Sequence, residues 1–316
     1  MHYISLFFLI LFLTYFLKIN LSFANDYLYS ICGSTGNDTE NSVYQTDLAK
    51  LFTSLSTEAV ASEGFTTNTI AVPNQISGLV LCRGDINSSI CSSCLIQSIR
   101  DIQTICPNSK EATIWYDLCL LRYSNNNLLS STDNSEQVIM WNFKNVTSKR
   151  FSGWNPPNAI AKTYFKTMME GLLSSVAYQA AYSSAKRFVV GDINTTSSGP
   201  TIYSMSQCTP DLPSDACHSC LQDLINQMLN NFDGRQGGRI LGVRCSLRYE
   251  VYKFYSDFQQ VLPLSSTSGP VKPIAPSDAV SGKRPTPAPL VSPPPHNLAT
   301  PAPVSEGAGV LHCLWN

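Results

Sequence analysis

Leu48, Leu51, Phe52 and Leu55 recur at three- and four-residue steps, the stripe of an amphipathic helix. Leu95, Ile99, Ile102 and Cys106 make a second stripe further along. The same plan returns later in the chain. Phe165, Met169, Leu172 and Val176 fall on one helical face, and Leu221, Leu224, Ile225 and Met228 on another. Ala112 to Tyr123 and Arg239 to Tyr255 are rich in Ile, Val, Tyr and Trp with partial alternation, and these read as strands. The pattern predicts an α+β fold in two copies, each with two helices packed on an antiparallel sheet. Met and aromatic residues at these steps are core packing rather than a cofactor box.

Composition then divides the chain. Ser5 to Phe16 is an almost unbroken apolar run of about a dozen residues, too short for a bilayer, which takes roughly 20. Ser22-Phe23-Ala24 follows it, so residues 1–24 read as a secretory signal cleaved after Ala24, although only His2 stands where Lys or Arg is usual. No later segment offers the apolar length of a membrane span. Residues 25–135 and 136–260 are each large enough for a small core. Residues 261–316 are rich in Pro, Ser, Thr and Ala and are expected to be an extended, disordered tail. The formal net charge of −1, without any Lys/Arg block, argues against nucleic acid or an anionic membrane surface as partner.

The 11 cysteines make the duplication explicit. Cys82, Cys91, Cys94 and Cys119 return as Cys208, Cys217, Cys220 and Cys245, all at one offset of 126. Cys32 and Cys106 lack counterparts: the offset carries Cys106 onto Phe232 and Cys32 to the neighbourhood of Pro157. Joint absence suggests that Cys32 and Cys106 pair with each other, and that the second module is the less stable one. The four shared cysteines admit three pairings, which spacing cannot choose between. Cys91-Ser92-Ser93-Cys94 and Cys217-His218-Ser219-Cys220 also allow a disulfide oxidoreductase, a minor alternative in a secreted, cystine-rich chain. Neither metal nor cofactor is expected, because His2, His296 and His312 lie outside the modules and His218 stands alone. Cys313 has no partner within either module. Sequons at Asn37, Asn87, Asn145 and Asn194 point to extracellular glycosylation.

With the cysteine runs and Trp115-Tyr116-Asp117-Leu118-Cys119-Leu120-Leu121-Arg122-Tyr123 in view, residues 25 to 257 resemble the plant ginkbilobin-homologous, or stress-antifungal, domain in tandem. Such tandems occur in cysteine-rich repeat secretory proteins and in the ectodomains of cysteine-rich receptor-like kinases. The resemblance implies two helices against a five-stranded antiparallel sheet in each module. It also implies the pairs Cys32–Cys106, Cys82–Cys91, Cys94–Cys119, Cys208–Cys217 and Cys220–Cys245. Ginkbilobin binds mannose through an Asn, an Arg and a Glu, chemistry suited to hydroxyl groups. Those positions fall on Gly33, Thr113 and Ser124 in the first module and on Asn145, Arg239 and Glu250 in the second, so only the second is expected to bind sugar in this way. The competing expectation for Arg239 and Glu250 is an exposed cross-strand ion pair.

No phosphate loop, nucleophile elbow or kinase signature is present in the sequence. The expected function is therefore secreted, apoplastic and non-catalytic. The expected partner is a cell-wall or microbial glycan or an extracellular protein, with a role in defence or stress. The alternatives are a receptor-kinase ectodomain and, from Ser292-Pro293-Pro294-Pro295, a wall-structural protein.

Overall fold

The computed structural model describes residues 26–71, 75–146, 159–195, 200–232 and 234–256, and the backbone of two short strands at 261–263 and 311–315. The signal segment 1–24 and most of the tail lie outside these residues.

The first module runs β1 (Tyr27–Cys32), α1 (Val43–Ala61), β2 (Phe65–Ile70), β3 (Ile76–Cys82), α2 (Ser88–Ile105), β4 (Glu111–Tyr116) and β5 (Cys119–Ser124). The second repeats it as β6 (Gln137–Asn142), α3 (Ala159–Tyr182), β7 (Phe188–Asn194), β8 (Thr201–Cys208), α4 (Ser214–Asn231), β9 (Gly237–Gly242) and β10 (Cys245–Glu250). The first sheet has the antiparallel order β1-β4-β5-β3-β2, and β6-β9-β10-β8-β7 copies it. Two tail segments, β11 (Val261–Pro263) and β12 (Leu311–Trp315), add in parallel to the outer edges β7 and β6 of the second sheet. The expected strand from Arg239 to Tyr255 is a hairpin that ends at Glu250.

All four predicted helical stripes face a core. Leu48, Leu51, Phe52 and Leu55 of α1, with Leu95 and Ile102 of α2, bury against Val80, Ile114 and Leu121. Phe165, Met169, Leu172 and Val176 of α3 meet Leu221, Leu224, Ile225 and Met228 of α4 over Ile240 and Leu247. Each such side chain removed from water contributes about 1.5–3 kcal/mol. Helix starts follow local chemistry as well: Ser42 Oγ accepts from Gln45 N and Asn87 Oδ1 from Ile90 N.

The opposite faces of the two sheets pack on each other. Leu79, Trp115 and Leu120 of the first module join Val138, Met140, Leu241 and Val243 of the second in one buried cluster. Trp115 Nε1 donates to Gly242 O at 3.3 Å, and Gln207 Nε2 to Cys82 O at 2.9 Å. The architecture is therefore four layers: helices, sheet, sheet, helices. Strands buried on both faces lose the clean apolar–polar alternation of a half-exposed sheet, which is why the sequence shows it only partially.

All five disulfides form as the resemblance implies. The two cysteines of each C-x-x-C run bond to different distant partners, so neither run closes on itself as a thiol–disulfide exchange site does. Strand register also corrects the search for the counterpart of Cys32. Cys32 pairs with Ala112, and the matching pair is Trp141 with Gly238. Trp141, not the neighbourhood of Pro157, thus stands in the place of Cys32, and its ring lies 5.9 Å from that of Phe232. An aromatic contact in the second module replaces the Cys32–Cys106 bond of the first.

Candidate functional site

The faces of the two sheets turned away from the helices carry a matching row of positions. In the first module one row is Gly33, Glu111 and Ser124: Gly33 N donates to Glu111 O at 2.8 Å, and Glu111 pairs with Ser124. In the second module Gly237 pairs with Glu250, and Asn142 follows one step after the Trp141–Gly238 pair. The carboxylate has moved one strand over between copies, from β4 to β10. A glycine beside it makes the room each time. A Cβ on Gly33 would lie 1.7 Å from Glu111 Cγ, and one on Gly237 would lie 1.8 Å from Glu250 Oε2.

The register also shows where the expected Asn falls. Asn145 bridges to Arg235 as Asn37 bridges to Ser109, and Gln236 Nε2 donates to its carbonyl at 2.8 Å. Asn145 is thus the structural counterpart of Asn37. The position of Gly33 belongs to Asn142, a buried side chain whose Oδ1 accepts from Lys144 N at 2.9 Å. Sequence offset could not find Asn142, because the connection between modules breaks the spacing of 126.

Arg239 and Glu250 are not an exposed pair; they are 2% and 0% exposed. Arg239 Nη1 donates at 2.6 Å to Oδ1 of Asp117, in the β4–β5 turn of the other module. Arg248 Nη1 reaches the same oxygen at 2.9 Å, and Arg83 Nη1 takes Oδ2 at 2.9 Å. Asp85 holds Arg83 from the other side through two bonds of 2.7 and 3.0 Å, and Arg248 Nε donates to Glu250 Oε1 at 3.2 Å. Burial alone would raise Asp117, but the three guanidinium groups hold its carboxyl below the usual range. Burial pushes Glu250 up to about 7 against the pull of Arg248 and Arg239. Its Oε2 has no hydrogen-bond partner among the described residues. A cleft of about 550 Å³ borders the cluster, lined by Arg239, Arg248, Tyr252 and Phe254 but not by Glu250.

The matching place in the first module is open in a different way. Adding 126 to Asp117 gives Val243, so the turn that caps this site brings no carboxylate. A cleft of about 320 Å³ lies there, with Gly33, Glu111 and Arg122 on one side, Ser131, Ser135 and Glu136 of the connecting segment on another, and Ile31, Leu79 and Val243 as apolar wall. Arg122 is answered by Glu136, 2.6 Å away. Thr113 Oγ1 donates to the other oxygen of Glu136. Glu111 lines the cleft, and among the described residues its carboxylate accepts from Ser124 Oγ, at 2.9 Å. Thr113 and Ser124, where the resemblance seeks Arg and Glu, thus serve to seat Glu136 and Glu111.

Of the sequon residues, Asn37, Asn87 and Asn194 are exposed and Asn145 is half-buried. His218 sits half-buried on α4 beside the rings of Tyr178 and Tyr182, 6.0 and 5.5 Å away. Among the described residues no three His, Cys, Asp or Glu side chains gather as a metal requires, and no helix is long and apolar enough to cross a membrane.

Two cystine-stapled α+β modules fused through their sheets, with polar clefts at both ends of the joint, define an extracellular tandem domain. The chain belongs to the salt stress response/antifungal family, which matches residues 31–126 and 154–252. It is 35% identical over 233 residues to cysteine-rich repeat secretory protein 38 of Arabidopsis thaliana, covering 73% of this chain and 86% of that protein. It is 38% identical over 235 residues to cysteine-rich receptor-like protein kinase 10 of Oryza sativa subsp. japonica, covering 72% of this chain but 35% of the kinase. The chain thus spans about a third of the receptor-like kinase it matches. The crystal structure of the tandem DUF26 ectodomain of the Arabidopsis thaliana receptor-like protein PDLP8 shares the fold, with a TM-score of 0.58 at 22% identity over 72% of this chain and 98% of that one. The protein is an extracellular, cysteine-rich protein of the secreted and receptor-ectodomain class.

Proposed function

We propose that this protein is a non-catalytic recognition unit of the plant cell exterior that binds a saccharide in the first-module cleft. The observation that carries the reading is Glu111. It is a carboxylate lining an open cleft, beside Arg122 and the hydroxyls of Ser131 and Ser135, over an apolar wall. A carboxylate accepts paired hydroxyl protons, a guanidinium supplies a fork of donors, and an apolar surface suits the C–H face of a sugar ring. The mannose-type set expected from Asn145, Arg239 and Glu250 is less favoured in the second module, since Asn145 stands in the place of Asn37 and Asp117 takes Nη1 of both Arg239 and Arg248. A defence or stress role follows the description of the family and remains part of this proposal.

The test is a glycan array of wall and microbial saccharides probed with the secreted protein and with Glu111→Ala. Binding by the parent that Glu111→Ala removes, with the thermal transition unchanged, supports the reading. An array without signal, or one indifferent to Glu111→Ala, ends it.

The receptor reading has its own support in the receptor-like kinase relative, of which this chain matches 35%. A transcript continuing past Asn316 into an apolar stretch of roughly 20 residues would establish it.

A further inference from the structure

We propose a second ligand site, independent of the first-module cleft, that takes a cationic, hydroxyl-rich ligand of the amino-sugar class. It is a polar cleft of about 370 Å³ between the connecting segment 132–137 and one face of α4.

Gln137 is the first observation. It opens β6, and strand alternation turns it to the side of Ile139 and Trp141, toward the helices. Its side chain is buried, 8% exposed, and lines the cleft. Its carboxamide makes no hydrogen bond to any described residue. The amide opens on the cleft and offers donors and an acceptor together, so a ligand hydroxyl can answer it in either direction.

The second observation is charge. Ser219, Asp223 and Gln227 are spaced four residues apart and stand in one row on α4. Asp223 forms no ion pair among the described residues and is exposed. Across the cleft stands Asp133, which already accepts from Ser135 N at 3.0 Å and Ser135 Oγ at 2.7 Å. No Lys, Arg or His lines the cleft. Two carboxylates without a counter-charge repel acidic ligands and favour a cation. A bare divalent ion is a poor fit, since it needs six or more oxygen ligands about one point and only two carboxylates face this cleft. An ammonium group on Asp223, with the charge of Asp133 across the cleft, on a ring whose hydroxyls reach Gln137, Ser219 and Gln227, matches the lining group by group. A sugar with a free amine has that chemistry. The same sugar acetylated on nitrogen has lost the charge.

Asp133 and Ser135 border both clefts, so the test substitutes Asp223, which borders only this one. Calorimetric titration of the intact secreted protein with a glucosamine hexamer is run in mildly acidic buffer, where the amine is protonated and aspartate ionised. The N-acetylated hexamer is the control. The glucosamine hexamer is expected to bind, and Asp223→Asn and Gln137→Leu each to weaken it by about tenfold, the loss of one charge-assisted or buried hydrogen bond. In a Glu111→Ala background, which removes the carboxylate of the saccharide cleft, Asp223→Asn is still expected to weaken the hexamer by about tenfold, which separates the two sites. Asp223 is exposed, so Asp223→Asn keeps the fold even if Gln137→Leu does not. The proposal fails if the hexamer does not bind, if the acetylated hexamer binds equally well, or if Asp223→Asn has no effect.

Discussion

Arg239 Nη1 donates to Asp117 Oδ1 at 2.6 Å, and the two residues belong to different modules. The arginine that the resemblance offers as a sugar contact holds a carboxylate across the joint. Asp117 gathers Arg83 from its own module and Arg239 and Arg248 from the other. The counterpart of Asp117 is Val243, so the carboxylate that gathers arginines at the second module has no equivalent in the cleft beside Glu111. Trp115 joins Val138 and Leu241 in one buried apolar cluster across the same joint.

Removing Asp117 therefore leaves three guanidinium groups facing one another, two of them buried in the second sheet. Breaking a buried ion network from one side costs about 3–5 kcal/mol. Asp117→Asn is expected to lower stability by that order in urea unfolding, and to raise the slope of small-angle scattering as the modules separate. A loss below about 1 kcal/mol would mean that the cluster behaves as a surface pair.

Glu250 gives stability a distinct pH dependence. Its carboxyl is raised from 4.5 to about 7 in the fold, so the folded state holds the proton more tightly than the unfolded chain. That contribution is fully present below about pH 4.5 and fades as pH climbs through 7. Asp117, held below its usual range by the arginines, works in the opposite sense and loses its contribution in stronger acid. Stability is expected to peak in mild acid and to fall by ~2–3 kcal/mol toward neutral pH. Glu250→Gln is expected to flatten the fall, as read by thermal melts across pH. A parent protein that grows more stable from pH 5 to 8 would contradict this.

The first module has a covalent bond where the second has Trp141 against Phe232. Closing a loop of 74 residues contributes up to about 4 kcal/mol on the chain-entropy model. The aromatic contact contributes about 0.5–1.5 kcal/mol beyond its buried area. Hydrogen exchange is expected to open α3 and α4 before α1 and α2. Replacing both Cys32 and Cys106 with Ser is expected to reverse the order. Earlier opening of α1 and α2 in the parent would overturn the ranking.

Much of the fold was legible in the sequence, for physical reasons. Leu48 to Leu55 and Phe165 to Val176 announce their helices because one apolar face and one wet face give a sharp period. The disulfides were legible through spacing and resemblance. The strands β3, β6, β7 and β8 were not, since burial hides alternation, nor were the edge strands β1 and β2, which are only half-buried along their length. The site was half legible. The offset of 126 finds Arg239, Glu250 and the pair Asp117/Val243, but not that Asp117 reaches across to Arg239, which is a contact 122 residues apart. Nor could it find Asn142, because the register of β6 against β9 is set by pairing in space rather than by distance along the chain. Glu111 escaped notice because its role passes to a different strand in the second copy.

We place the proposed ligand face at Glu111 and assign the second module's arginines to the joint. Amide chemical-shift mapping of the isotopically labelled protein, titrated with a saccharide found on the array, tests it directly. Shifts are expected to cluster at Gly33, Glu111, Ser131 and Ser135, with Arg239, Arg248 and Tyr252 unmoved. Shifts centred on Arg239 and Tyr252, with Glu111 silent, would contradict it.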